Sequence, residues 1–112
     1  MKKITAIIRP EKLEAVRQAL EKVGYSGLMI SEIQGHGKQK GIVQQWRGEK
    51  YKVDLISKVK LEIVVKDSEV AVIKQTIIEN ARTGEIGDGK IFISNIDEVI
   101  RIRTGEEGET AL

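Results

Sequence analysis

The fold is decided by residues 58–96, which read KVKLEIVVKDSEVAVIKQTIIENARTGEIGDGKIFISNI. Apolar and polar side chains first alternate, and this period of two predicts a half-buried β-strand. One face of that strand carries Val59, Leu61, Ile63 and Val65, and the other carries Lys58, Lys60 and Glu62. A helical stripe follows at Val70, Ile73, Ile77 and Ala81, with Ser68 as the predicted N-cap. A glycine-rich loop and a second strand complete a strand–helix–strand unit.

The same unit is written once before, in residues 4–33. Its helical stripe consists of Leu13, Val16, Leu20 and Val23, and Gly24 is the predicted stop. Two such units predict an α+β, ferredoxin-like fold, in which a four-stranded antiparallel sheet carries both helices on one face. A short C-terminal strand is predicted at Ile100–Arg103, and it needs an edge to pair with.

Composition limits the protein to a few classes. The 112 residues correspond to one domain, and 19 Lys+Arg against 17 Asp+Glu give a net charge of +2. The absence of cysteine excludes disulfides, thiolate zinc sites and a cysteine nucleophile. The apolar runs are far shorter than the ~20 residues of a membrane span. The N-terminus lacks a secretory pattern, so the sequence predicts a cytoplasmic protein that does not insert into membranes.

A long polar segment separates the two units. From Gly35 to about Ser57 it reads GHGKQKGIVQQWRGEKYKVDLIS. Connections in small domains are usually ~4–6 residues long, and much longer ones tend to be functional. One arrangement is an extended hairpin with Ile42–Gln45 and Tyr51–Leu55 as arms around Arg47-Gly48-Glu49.

The loop at Thr83–Ile93 resembles a phosphate-binding loop in part. Gly84, four residues, Gly89 and Lys90 match most of a Walker A pattern, but Ile91 replaces the usual Ser or Thr. Two interpretations remain, a plain turn or an anion site made by glycine N–H groups and a lysine. The loop at residues 35–41, GHGKQKG, is a weaker signal on its own. Because both loops carry lysines, their convergence would create a site for an anion.

Other function classes find less support. Arg101 and Arg103 are either solvated surface residues or guanidinium ligands for phosphate. An RNA-binding sheet would need aromatic residues on its open face, whereas aromatic residues make up 4% of this chain. A phosphotransfer enzyme would have to use His36, the one histidine, and no catalytic triad or metal-ligand spacing accompanies it.

With these motifs in order, the chain resembles the PII signal-transduction proteins, the GlnB/GlnK nitrogen-regulatory family. The resemblance is carried by IIRPEKLEAVRQAL, GHGKQKG, RGEKY, VDLISKVKLEIVV, TGEIGDGKIFI and IRIRTGEEGETAL. It implies a homotrimer of single PII-like domains that cover residues 1–112. Each would have a T-loop at about 37–55, a B-loop at about 82–90 and a C-terminal loop at about 102–112.

The resemblance also assigns residues to ligands. Nucleotide, ATP or ADP, would be bound at subunit interfaces by Met29, Gly35, Gly37, Lys38, Glu62, Val64, Gly87, Asp88, Gly89 and Lys90, with Arg101 and Arg103 reaching from the adjacent subunit. 2-Oxoglutarate would be bound by Gly37, Gln39, Gly41, Lys58 and Gly87, and Gln39 would hold Mg²⁺ beside the ATP phosphates. Arg47 would enter a partner channel, and Tyr51 is the candidate modification site.

The implied function is that of a non-enzymatic sensor, with no role for nucleic acid. Its T-loop would block an ammonium transporter of the Amt family when 2-oxoglutarate is low. Binding to this transporter would recruit the protein from the cytoplasm to the inner face of the membrane. The alternative is the same sensor acting mainly on a nitrogen-assimilation enzyme or a transcriptional regulator, with uridylylation at Tyr51. Several residues depart from the family pattern. Met29 stands where threonine is common, Trp46 where tyrosine is usual and Ser57 where proline is common, and Glu11 and His36 stand where aromatic residues are frequent.

Overall fold

The computed structural model describes the backbone of residues 1–36, 42–46, 49–53 and 55–112, and the side chains of residues 1–34 and 56–112. The strands are β1 (Lys2–Ile8), β2 (Met29–His36), β3 (Ile42–Trp46), β4 (Glu49–Val53), β5 (Leu55–Val65) and β6 (Lys90–Asn95). The helices are α1 (Leu13–Lys22) and α2 (Val70–Ala81), with 3₁₀ turns at Pro10–Lys12, Asp67–Glu69 and Gly108–Ala111. Within the described residues, no helix is long and apolar enough to cross a membrane.

The main sheet has the order β2–β5–β1–β6, and all of its neighbouring strands are antiparallel. Ile4 at the centre of β1 lies opposite Ile63 on β5 and Ile93 on β6. The buried core joins alternate residues of β1 and β5 to residues of both helices: Ile4, Ala6, Ile8, Val16, Leu20, Val59, Leu61, Ile63, Val65, Ile73, Ile77 and Ala81. Both helices therefore cover one face of the sheet, and the predicted ferredoxin-like fold is confirmed.

The predicted end of the first helix is confirmed at Gly24. The Tyr25 N–H donates to the Leu20 carbonyl oxygen at 2.9 Å, and the Gly24 N–H donates to Glu21 at 3.0 Å. Gly24 has a φ of +98°, the left-handed conformation that glycine adopts readily at a helix end. Val23 is the exception in the predicted stripe, because it follows the last helical residue and is 44% exposed.

The prediction of Ser68 as the N-cap of the second helix is wrong. Ser68 lies inside the 3₁₀ turn Asp67–Glu69, which runs directly into α2. Neither this turn nor α2 has a hydrogen bond from the side chain of its N-cap residue. Instead, the Lys66 N–H donates to the Glu69 carboxylate at 3.1 Å. The helical rotation thus begins earlier than the apolar stripe indicates. The stripe itself is confirmed, since Ile73, Ile77 and Ala81 are buried.

The central polar segment contains the predicted hairpin. β3 and β4 pair antiparallel, with Ile42 opposite Val53 and Trp46 opposite Glu49. The first arm is one residue longer than predicted. The second arm is displaced toward the N-terminus, because Leu55 is the first residue of the long strand β5.

The C-terminal strand predicted at Ile100–Arg103 is corrected to a single bridge between Ile100 and Glu107. The chain turns back at once, because the Gly105 N–H donates to the Arg101 carbonyl oxygen at 2.7 Å. A strand is stabilised by hydrogen bonds to a neighbouring strand. Within the described residues of one chain, the segment 101–104 pairs with no strand.

Candidate functional site

Asp88 organises the glycine-rich loop between α2 and β6. Its carboxylate accepts hydrogen bonds from the N–H groups of Thr83 and Gly84, each at 2.8 Å, and from the Thr83 hydroxyl. The Thr83 hydroxyl, the two N–H groups and Arg9 together hold the pKa of Asp88 well below its usual value. The Asp88 carboxylate is therefore engaged in hydrogen bonds within the loop.

Three glycines give the loop its shape. Gly84, Gly87 and Gly89 have φ values of +89°, +104° and +97°. A Cβ atom on Gly89 would lie 1.7 Å from the Ile7 carbonyl oxygen of β1. The loop therefore lies directly against the end of β1, and this close approach requires a residue without a side chain.

Arg9 connects the end of β1 to the loop. Its Nε donates to Asp88 Oδ1 at 3.0 Å, and its Nη2 donates to the Ile86 carbonyl oxygen at 2.9 Å. Sequence reasoning missed this residue, because the contact spans 77–79 positions along the chain. The signal in the sequence was the position of Arg9, a cation that directly follows an inner strand of the sheet and precedes Pro10.

Lys58 reaches the same loop from β5. Its Nζ donates to the Gly87 carbonyl oxygen, so the structure brings together two residues that were predicted to share a ligand. Burial lowers the pKa of Lys58, and the nearby Arg9 guanidinium lowers it further, while Glu11 and Asp88 oppose that effect. Arg9 and Lys58 thus both donate to carbonyl oxygens in one turn of the glycine loop.

Residues predicted to hold the adenosine lie on the sheet face that the helices leave uncovered, called here the open face. It carries Met29, Lys58, Glu62, Val64, Lys90 and Phe92. Met29 lies directly opposite Glu62, and Val64 follows two residues along β5 on the same face. The Glu62 carboxylate pairs with Lys3 at 3.3 Å and Lys60 at 3.6 Å, and the Lys3 contact contributes most to lowering the pKa of Glu62. Along β5, Glu62 and Lys58 are ~13 Å apart at the usual rise per residue.

The C-terminal arginines lie in their own small unit. Arg101 donates to Glu106 Oε1 at 3.2 Å and to the Thr110 carbonyl oxygen at 3.1 Å. Arg103 lies in the exposed turn that follows. Within the described residues of one chain, neither arginine hydrogen-bonds to the glycine loop.

Several predicted site residues lie elsewhere or outside the description. Gly35 lies in β2, opposite Ile56, and Tyr51 lies in β4, opposite Gln44. Lying outside the described residues are Gly37, Lys38, Gln39, Gly41 and Arg47. Their roles stay predictions.

Comparisons with known proteins identify the family. A family model described as "Nitrogen regulatory protein P-II" matches residues 1–106. "Nitrogen regulatory protein P-II 2" of Methanothermobacter thermautotrophicus is 55% identical over 112 residues, covering 100% of this chain and 97% of the relative. "Nitrogen regulatory protein P-II 1" of Escherichia coli is 54% identical, and "Nitrogen regulatory protein P-II" of Pasteurella multocida is 53% identical, each over the full length of both chains. The chain belongs to the P-II family of nitrogen regulatory proteins. The names of its relatives are those of regulatory proteins, which fits a role in nitrogen signalling.

The loop gives a prediction about pH. A carboxylate with a lowered pKa stabilises the fold above its unfolded pKa, 3.8 for Asp88, and this stabilisation is lost as pH falls below that value. We expect wild type to be more stable than Asp88→Asn at pH 7, with the difference shrinking below about pH 4. Urea unfolding of both proteins at pH 7, 4 and 2.5 measures it. A difference that does not change with pH would show that the Asp88 charge is not what holds the loop.

Proposed function

We propose that the protein is a non-enzymatic sensor that binds ATP or ADP and, together with Mg-ATP, 2-oxoglutarate. The proposal rests on membership of the P-II family and on the glycine loop, whose cations and N–H groups suit an anionic ligand. The working unit would be a homotrimer, with each site completed by a neighbouring subunit. The open face favours this assembly, because Met29 and Phe92 on it are 54% and 56% exposed.

The nucleotide would bind with its phosphates on the loop and its adenosine on the open face. The N–H groups of Gly87, Asp88 and Gly89 and the ammonium of Lys90 are the phosphate donors, and Met29, Glu62 and Val64 contact the adenosine. Gly35, Gly37 and Lys38 would form the opposite wall. Arg101 and Arg103 would come from the adjacent subunit, which is consistent with the position of Arg101 in a separate C-terminal unit.

One contact carries the proposed link between nucleotide and 2-oxoglutarate. Lys58, the proposed cation for the dicarboxylate, donates to the Gly87 carbonyl oxygen in the phosphate loop. A ligand that binds either residue would therefore change the position of the other residue. Allosteric coupling between two such sites typically changes the affinity of each ligand by 5–150-fold. Gln39, with Gly37 and Gly41, would complete the dicarboxylate site and hold Mg²⁺, which supplies positive charge beside the phosphates.

The readout would be the segment at about 37–55, the T-loop. Gln39 is near the start of this segment in sequence, so filling the site would change the base of the β3–β4 hairpin. We propose that this segment, with Arg47 as the residue that enters the channel, blocks an ammonium transporter of the Amt family when 2-oxoglutarate is low. The transporter would then recruit the protein to the inner face of the membrane.

Isothermal titration calorimetry tests the linkage. 2-Oxoglutarate is titrated into the protein with ADP and, separately, with Mg-ATP, and we expect at least about tenfold tighter binding with Mg-ATP. Lys58→Met should lose most of this binding, whereas Lys22→Met, which changes an exposed lysine at the end of α1, should keep it. Equal 2-oxoglutarate affinity with the two nucleotides would contradict the proposal.

A further inference from the structure

Two consecutive peptide units of the glycine loop are held by cations from different strands. Arg9 Nη2 donates to the Ile86 carbonyl oxygen at 2.9 Å, and Lys58 Nζ donates to the Gly87 carbonyl oxygen. In a planar trans peptide, the carbonyl and the following N–H point in opposite directions. The N–H groups of Gly87 and Asp88 therefore point away from the two cations.

The positive φ of +104° at Gly87 sets how these two units are joined. Successive N–H groups that straddle such a residue form a concave arrangement which accepts an anion. Without Arg9 and Lys58, a glycine at this position has wide conformational freedom, and either peptide unit can rotate. The two cations therefore select one orientation of both N–H groups.

The guanidinium group of Arg9 suits this role better than an ammonium would. Its planar fork binds Ile86 through Nη2 and Asp88 Oδ1 through Nε at 3.0 Å, so one group fixes both sides of Gly87. The Arg9 side chain is 17% exposed, so most of it is packed against the protein. Burial also lowers the pKa of Lys58, in keeping with its position behind the loop.

We propose that Arg9 and Lys58 are positioning residues, which aim the N–H groups of Gly87 and Asp88 at a phosphate. The inference rests on the proposed function and adds a separate role for the two cations, which act from behind the loop through its carbonyl oxygens. Arg9 thereby contributes to phosphate binding without touching the phosphate.

The test compares Arg9→Met, Arg9→Lys and, as the matched control, Arg17→Met, which removes an exposed arginine of α1 that is paired with Glu14. Each protein is titrated with ADP and with adenosine, which has no phosphate. We expect Arg9→Met to bind ADP about tenfold more weakly or worse, because it loses two hydrogen bonds of a charged group, while adenosine binding stays unchanged. Arg9→Lys should lie between wild type and Arg9→Met, and Arg17→Met should match wild type.

Amide NMR of the ligand-free proteins gives a second readout. Arg9→Met should shift the amide resonances of Gly87 and Asp88, and Arg17→Met should not. Unchanged ADP affinity in Arg9→Met, or an equal loss for ADP and adenosine, would overturn the positioning role and leave the proposed function in place. A wild-type protein that binds no ADP would overturn the proposed function, and the amide resonances would still decide whether Arg9 orients the loop. If Arg9→Met does not fold, Arg9→Lys carries both measurements.

Discussion

Gly89→Ala is expected to lower the free energy of unfolding by about 3 kcal/mol or more and to abolish binding of ADP. Two costs combine at this position. The φ of +97° is strained for any residue with a side chain, and the new Cβ would lie 1.7 Å from the Ile7 carbonyl oxygen. The clash is with backbone, so β1 or the loop must move, and the loop would then no longer present its N–H groups to a phosphate. Urea unfolding at one protein concentration, with ADP titration, measures both effects.

Gly84→Ala is the matched control, because it separates the strain of the backbone from the clash. Gly84 has a similar φ of +89°, but a Cβ there would meet nothing within 4 Å. We expect a cost of about 1–2 kcal/mol and weaker, but measurable, ADP binding. If the two variants lose the same stability, the close approach to β1 contributes nothing, and this description of the loop is wrong.

Ile73→Ala is expected to lower the free energy of unfolding by about 2–5 kcal/mol. Ile73 is 0% exposed and lies on the face of α2 that packs against the sheet. Removing its side chain leaves a cavity that close-packed neighbours fill only in part. Chemical denaturation of the variant and the wild type gives the difference.

The neighbouring Val72→Ala serves as the control for this prediction. Val72 lies on the same helix and is 45% exposed, and alanine has the higher helix propensity, so we expect a change of about 0.5 kcal/mol or less. A large loss of stability at Val72, or a small one at Ile73, would mean that α2 presents a different face to the sheet.

The fold followed from periodicity, because burial imposes the same pattern on sequence and structure. The alternation from Val59 to Val65 and the stripe at Ile73, Ile77 and Ala81 mark the buried side of each element without any knowledge of their partners. The ends of the helices and strands do not follow from periodicity in the same way. The start of α2 is set by a 3₁₀ turn and by Glu69, whereas the sequence pattern predicts Ser68 as the cap.

The C-terminal segment shows a different limit. Ile100 and Ile102 alternate with Arg101 and Arg103 as a strand does, but a strand also needs a partner edge. In one chain, the segment instead forms a turn, which is closed by the hydrogen bond from the Gly105 N–H to the Arg101 carbonyl oxygen. Local pattern cannot report whether a neighbouring molecule supplies the edge.

The candidate site was predictable only in its loop. The glycines and Lys90 lie close together within residues 84–90, so a motif identifies them. Arg9, Asp88 and Lys58 come from three parts of the chain, and their contacts depend on the pairing of β1 with both β5 and β6. The ligand roles of the predicted site residues all await a test, and those of Gly37, Lys38, Gln39, Gly41 and Arg47 also lack a described position.

The proposed sensor depends on the binding of nucleotide phosphates by the loop of Gly87–Lys90. Its most direct test is a crystal structure of the protein with ADP. We expect phosphate oxygens at about 3 Å from the N–H groups of Gly87 and Asp88, with Arg101 and Arg103 of an adjacent subunit beside them. Phosphates bound elsewhere, or within a single subunit away from Lys90, would contradict it.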